Sequence, residues 1–205
     1  MKFLCILLLL LLSQTCFAQI KLTKLDKKSI PKKIQYTGQI VNAVSFKDSS
    51  GHNIVITTET GETQSKVEPD SRDAALYAYH FYSKGDSIQT SWKINDYIKD
   101  CPVDLKANYI KHTFAVTDLN KDGKAEVWLM YKTVCHGDVS PSDMKIIMYE
   151  AGNKYAVRGT NKVKVSEKGY MGGEYKFDDA LKKAPQVFRQ YAEQLWKKNI
   201  LETWD

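Results

Sequence analysis

FAVTDLNKDGKAEVWLMY, residues 114–131, decides the fold of this chain. Within it, side-chain oxygens recur at Asp118, Asn120, Asp122 and Glu126, and Gly123 occupies the sixth position of the loop. Oxygens at positions 1, 3 and 5, the backbone carbonyl of Lys124 at 7 and a carboxylate at 9 can converge on one hard cation, so the spacing predicts a Ca2+ site. Gly123 supplies the backbone freedom that a sharp turn needs. The flanks decide the setting. An EF-hand requires helices on both sides and a bidentate glutamate at position 12, but position 12 is Leu129. Phe114 to Thr117 and Val127 to Tyr131 are rich in aromatic and β-branched residues, which predicts strand, loop, strand.

The loop resembles those of FG-GAP or integrin-type repeats, in which Asp-x-Asp/Asn-x-Asp-Gly-x-x-Asp binds calcium. Asp118, Asn120, Asp122 and Gly123 match that pattern, and Glu126 replaces the final aspartate. The motif occurs once, whereas a propeller would repeat it. The resemblance therefore implies the loop chemistry without the propeller.

Working outward, Cys101 and Cys135 bracket the loop. The other two cysteines, Cys5 and Cys16, lie in an N-terminal segment with a positive start, an apolar run from Phe3 to Leu12 and small residues at Cys16 and Ala18. That pattern predicts a secretory signal peptide over 1–18, cleaved after Ala18; lipidation at Cys16 is the alternative, although Thr15 departs from a lipobox. In an oxidising compartment the remaining even pair predicts a Cys101–Cys135 disulfide, closing a loop of about 35 residues. No later stretch is apolar enough to span a bilayer. The expected location is therefore exported: periplasm, cell surface or medium.

Loss of Lys2 with the leader lowers the formal net charge of the 205-residue chain from +6 to +5. Much of that positive charge sits in 19–35, where six lysines face one aspartate, Asp26. This segment reads as a solvated basic linker. Clustered there, with no recognition motif elsewhere, the charge argues against nucleic-acid binding. The hydrophobic fraction of 43% is ordinary for a globular domain, and residues 36–205 are long enough to bury a core.

Gln39 to Phe46 and Asn53 to Thr58 flank the turn residues Asp48-Ser49-Ser50-Gly51 and predict a hairpin. Glu59 to Arg72 reads as a polar loop. Ala74 to Ser83 and Ser87 to Ile94 predict two more strands around Lys84-Gly85-Asp86. In the first of them Tyr77, Tyr79 and Phe81 share one face, with His80 and Tyr82 opposite, where an exposed binding patch is expected. Asn95 to Asp104 reads as a loop or helical turn. Met144 to Glu150 and Lys154 to Arg158 form a further pair around Gly152-Asn153. At the C-terminus Asp178 predicts a helix cap, Pro185 starts a longer helix, and Phe188, Tyr191, Leu195 and Leu201 follow helical spacing. The expected fold is α+β, mostly an antiparallel β-meander with a C-terminal helix.

LYAYHFY at 76–82, DCPVD at 100–104 and the block 117–150 together resemble a family of small exported proteins of flavobacteria and related Bacteroidetes, labelled as associated with surface polysaccharide (lipopolysaccharide) biosynthesis. The resemblance implies a cell-envelope role with polysaccharide or another envelope component as partner, and no catalytic residues.

The chain carries no nucleophile elbow, phosphate loop or His-Glu-x-x-His motif. Its best catalytic candidates are His136 and Asp138, with Asp100 and Asp104 brought near by the disulfide; paired carboxylates beside a histidine suit acid–base cleavage of a glycan. The first expectation is a non-catalytic envelope protein with a structural calcium loop. The alternative is an envelope glycan hydrolase working through His136 and Asp138.

Overall fold

The computed structural model describes residues 20–202 except Asp86, and of Lys84 only the backbone; the expected signal peptide and Cys16 lie outside the described residues. The α+β expectation is borne out. Five antiparallel strands form the first sheet in simple meander order: β1 (Thr23–Lys24), β2 (Gln39–Asp48), β3 (Gly51–Gln64), β4 (Arg72–Lys84) and β5 (Ser87–Cys101). The second sheet is built from β6 (Leu105–Tyr109), β7 (Ala115–Thr117), β8 (Glu126–Cys135), β9 (Asp143–Glu150), β10 (Asn153–Thr160) and β13 (Tyr175–Phe177), in the order β13-β10-β9-β8, with β6 and β7 both pairing with β8. A small ribbon of β11 (Lys162–Lys164) and β12 (Tyr170–Gly172) precedes β13. Two helices follow, α1 (Asp179–Lys183) and α2 (Gln186–Asn199).

The two sheets pack face to face. Val44, Val55, Leu76 and Ile94 of the first meet Leu105, Val127, Leu129 and Ile147 of the second in one buried cluster. The second sheet is covered on its other face as well. Trp128, Met130, Ile146 and Met148 pack there against Leu181, Phe188, Ala192 and Trp196 of the helices. That double coverage explains why β8 is apolar almost throughout and does not alternate. Asp178 caps α1 as expected, accepting from the Leu181 N–H at 2.8 Å. The buried stripe of α2 is Phe188, Ala192 and Trp196, with Tyr191 and Leu195 at its margin. Leu201 lies past the helix and is half exposed.

Three sequence expectations are corrected. The basic linker is docked: β1 pairs with β2, and Ile30 and Ile34 are buried against Ile54, Ile56 and Phe81 on the outer face of the first sheet. Its lysines point outward while two isolated isoleucines anchor the backbone. The polar stretch 59–72 is loop only over 65–71, because β3 continues pairing with β4 as far as Gln64 opposite Arg72. Asn95 to Cys101 is also strand, the far half of β5.

Candidate functional site: the calcium-type loop and its neighbours

The backbone of the 118–126 loop is wound by its own polar side chains. Asp118 Oδ2 accepts from the Gly123 N–H at 3.1 Å, Asn120 Oδ1 from the Asp122 N–H at 3.1 Å and Asp122 Oδ1 from the Lys124 N–H at 2.9 Å. Each is a short side chain bonding a nearby amide, which suits Asp and Asn in turns. Lys121 and Gly123 take positive φ, 61° and 81°. The strands on either side are β7 and β8, paired with Thr117 opposite Glu126, so the loop closes a hairpin and is not flanked by helices.

Glu126 sits at the neck of the loop and is fully buried. Its Oε2 accepts from the Thr117 hydroxyl at 2.6 Å, and both carboxylate oxygens lie 2.9 Å from the Leu119 N–H. Burial raises its pKa, against those hydrogen bonds, and the Asp118 charge adds to the rise. Glu150, on the adjacent β9, accepts from the Asn120 side-chain amide at 2.7 Å. Its pKa is also raised, first by burial and then by Asp122. The loop therefore concentrates negative charge, and Lys124 Nζ reaches Asp122 at 3.3 Å with both side chains partly exposed.

One atom bears on whether a cation fits. Asp118 Oδ1 is buried and has no hydrogen-bond partner. A buried carboxylate oxygen left unpaired costs free energy that a hard cation would recover. Among the described residues no three His, Cys, Asp or Glu side chains gather as a metal-binding group. The candidate oxygens are instead mixed: the Asp118, Asn120 and Asp122 side chains with the Lys124 carbonyl, while Glu126 is engaged at the neck. Oxygen-only mixed sets of this kind suit calcium.

The disulfide is formed. Cys101 and Cys135 are bonded across the two sheets, 34 positions apart. It tethers the ends of β5 and β8, and the loop lies within the segment it closes.

Beside the disulfide, the His136 N–H donates to the Asp104 backbone carbonyl at 3.2 Å. His136, Asp138 and Asp104 line one open cavity of about 310 Å³ together with Glu62, Lys132 and Glu202. Three of the carboxylates there, those of Asp138, Glu202 and Glu62, have hydrogen-bond partners of their own. The Ser140 side chain and then its N–H, which donates to Asp138 Oδ1 at 2.9 Å, pull the Asp138 pKa down. Glu202 bonds Lys132 and Asn161, and Glu62 bonds Arg72. His136 Nδ1 lies 3.4 Å from Asp138 Oδ1, and its Nε2 is buried without a partner. Asp100, which the disulfide was expected to turn the same way, instead accepts from the Ser65 hydroxyl.

A second cavity, of about 360 Å³, opens between the sheets next to the calcium-type loop. Phe46, Asn53, His80 and Trp92 from the first sheet and Tyr149 from the second line it, with Lys124 and Ala125 at its edge. The face of β4 expected to be an exposed patch thus holds His80 and Tyr82 at a cavity between the sheets. Sequence reasoning missed the rest of this group, because Asn53 and His80 meet only through the β3–β4 register. Trp128 is wholly buried.

Among the described residues no helix is long and apolar enough to cross a membrane. No family model, curated protein or solved structure matches this chain.

Proposed function

We propose that this chain is an exported cell-envelope protein, non-catalytic and associated with surface polysaccharide, in which a calcium ion braces the 118–126 hairpin. The observation that carries the calcium reading is the unpartnered, buried Oδ1 of Asp118 inside a loop whose side chains are already drawn inward. Asp118, Asn120, Asp122 and the Lys124 carbonyl would hold the ion, which would supply charge neutralisation. Glu126 would keep the neck closed. Support for export comes from the leader pattern and from the disulfide, a bond that persists in oxidising compartments.

Extracellular calcium modules bind with dissociation constants of ~10⁻⁴ to 10⁻³ M. At about tenfold excess of calcium, linkage contributes roughly 1.4 kcal/mol. The test is a thermal melt of mature protein with calcium and with chelator, beside Asp118→Ala/Asp122→Ala, together with co-sedimentation on isolated envelope polysaccharide. A calcium-dependent rise in Tm that the double variant loses supports the brace. No shift, with elemental analysis excluding retained metal, defeats it. Failure to co-sediment defeats the polysaccharide association.

The second reading, a glycan hydrolase, is favoured by one observation: His136, Asp138 and Asp104 do line a common cavity. It ranks lower because Asp138 is turned into its own turn, its Oδ1 accepting from the Ser140 N–H. Release of reducing ends from envelope glycans, abolished by His136→Ala, would reverse that order.

A further inference from the structure

A third cavity, of about 590 Å³, opens where β6, β8 and the end of α2 come together. Lysines from separate parts of the chain line it: Lys106 on β6, Lys111 just beyond that strand, Lys132 on β8 and Lys198 in the last turn of α2. The β6–β8 register sets Asn108 opposite Lys132, so Lys106, two residues before Asn108, lies on the same face of the sheet as Lys132. That face also carries Trp128 and Met130, which the helices cover. Lys132 continues the row to the end of α2, where Lys198 joins it.

The groups already in use define what the cavity still demands. Glu202 is the one carboxylate among its described lining residues, and it bonds both Lys132 Nζ and the Asn161 side-chain amide. The Asn108 amide donates to Glu59 at 2.8 Å, the Asn199 amide to the Leu195 carbonyl at 2.8 Å and the Tyr109 hydroxyl to the Tyr77 carbonyl at 2.8 Å. Lys106, Lys111 and Lys198 are exposed and have no hydrogen-bond or ion-pair partner among the described residues. Four lysines against one glutamate leave the wall with a net charge of +3. Charge of one sign in a concave wall focuses its field and draws in counter-ions of the opposite sign. The unused donors are thus three accessible ammonium groups, which call for an anion with several acceptor oxygens. The volume exceeds what one small anion fills and lies within the range of organic ligand sites.

We propose that this cavity binds a sugar unit bearing a phosphate or carboxylate group, with the anionic oxygens among Lys106, Lys111 and Lys198. The shared chemistry of the two ligands is a multi-oxygen anion on a hydroxylated ring. The inference rests on the reading of the chain as associated with surface polysaccharide, and it narrows that partner to an acidic glycan. It does not depend on calcium.

The test is an NMR titration of ¹⁵N-labelled mature protein at low salt with glucose 6-phosphate, glucuronate, glucose and inorganic phosphate in separate arms. The expected result is saturable shifts at amides of 106–111 and 198–201 with at least one of the two acidic sugars and none with glucose. Which acidic sugar binds identifies the anionic group. Lys111→Gln/Lys198→Gln should weaken that binding at least tenfold, the order expected when charge-assisted hydrogen bonds are lost. Lys27→Gln/Lys28→Gln removes the same charge from the 19–35 segment and should leave it unchanged. All four side chains are exposed, so both double variants should melt as wild type. Silence with both acidic sugars, or equal shifts with glucose, overturns the proposal. So does equal weakening by the two double variants, which would reduce the effect to net charge. Inorganic phosphate binding as tightly as the better acidic sugar overturns the sugar assignment. If the acidic sugars fail while the protein still co-sediments with envelope polysaccharide, the wider reading stands and the cavity assignment falls. Saturable binding of an acidic sugar without co-sedimentation gives the reverse.

Discussion

Asp48 Oδ2 accepts a hydrogen bond from the Ala125 backbone N–H at 3.1 Å, joining the β2–β3 turn to the calcium-type loop across 77 positions of chain. The Ser49 N–H donates to the Gly123 carbonyl at 2.8 Å beside it. The same Asp48 carboxylate receives the Asn53 amide that orients His80. Burial pushes the Asp48 pKa up, but hydrogen bonds from Ser50, Ala125 and Asn53 outweigh it and hold the group below its usual value. One ionised side chain therefore couples the loop to the inter-sheet cavity.

Asp48→Ala strips partners from the Ala125 N–H and from Asn53 together. Leaving such donors unsatisfied costs about 1–3 kcal/mol. The expected outcome is a lower urea midpoint together with weaker calcium binding by calorimetry, although Asp48 contributes no atom to the proposed calcium site. An unchanged calcium affinity would show that the turn and the loop are energetically separate.

The disulfide should contribute mainly through the unfolded chain. Closing a loop of about 35 residues corresponds to about 3.5–4 kcal/mol in the chain-entropy model. Replacing Cys101 and Cys135 together by alanine should lower the unfolding free energy by that order in urea titrations. The double replacement also reports on the loop, because calcium should then raise stability from a lower base by the same increment if the two braces act independently.

His80 gives a pH dependence with a definite sign. Its folded pKa, about 4, lies below the ordinary histidine value of 6.5 because burial disfavours the imidazolium. Between those values the unfolded chain binds more protons than the folded one, so stability rises with pH there. The contribution is complete above about pH 6.5 and is lost as pH falls toward 4, amounting to about 3 kcal/mol. Urea midpoints measured across this window should fall on acidification, and His80→Gln should flatten the fall relative to wild type.

The hairpins were legible wherever Gly-bearing turns separate apolar runs, as at 48–51 and 151–153. Beyond the core, β3 and β4 carry polar residues on a paired but solvated extension, so pairing left no hydrophobic trace at Glu59 to Gln64. In β5 the pattern breaks at Asp96, which is satisfied by Lys145 at 2.5 Å and the Tyr131 hydroxyl at 3.1 Å from the other sheet. A charged residue facing a partner sheet reads as loop until that partner is known. The calcium-type loop was legible because all its donors are local. The cavity was not, since Asn53, His80, Trp92 and Tyr149 are distant in sequence and meet only by register and sheet packing. The docking of residues 20–36 rests on Ile30 and Ile34, too few to show a period among the lysines.

Two glycines should behave in opposite order to their prominence in the sequence. Gly123 belongs to the motif, but a Cβ there would meet Ser49 only at 3.6 Å, an ordinary contact. Gly123→Ala should therefore cost only the penalty of a positive φ, about 1–2 kcal/mol. Gly159 belongs to no motif, yet a Cβ there would lie 1.9 Å from the Glu174 carbonyl oxygen and 2.6 Å from Tyr175 Cα, both backbone atoms of the neighbouring β13 segment. That strand carries Tyr175, whose ring lies 5.1 Å from the Trp196 ring of α2. Gly159→Ala must push β13 aside and loosen the helix layer, at about 3 kcal/mol. Urea midpoints should rank Gly159→Ala well below Gly123→Ala, and near-UV circular dichroism should change for the first and hold for the second. Equal midpoints would show that β13 yields freely and is not a fixed support for the helices.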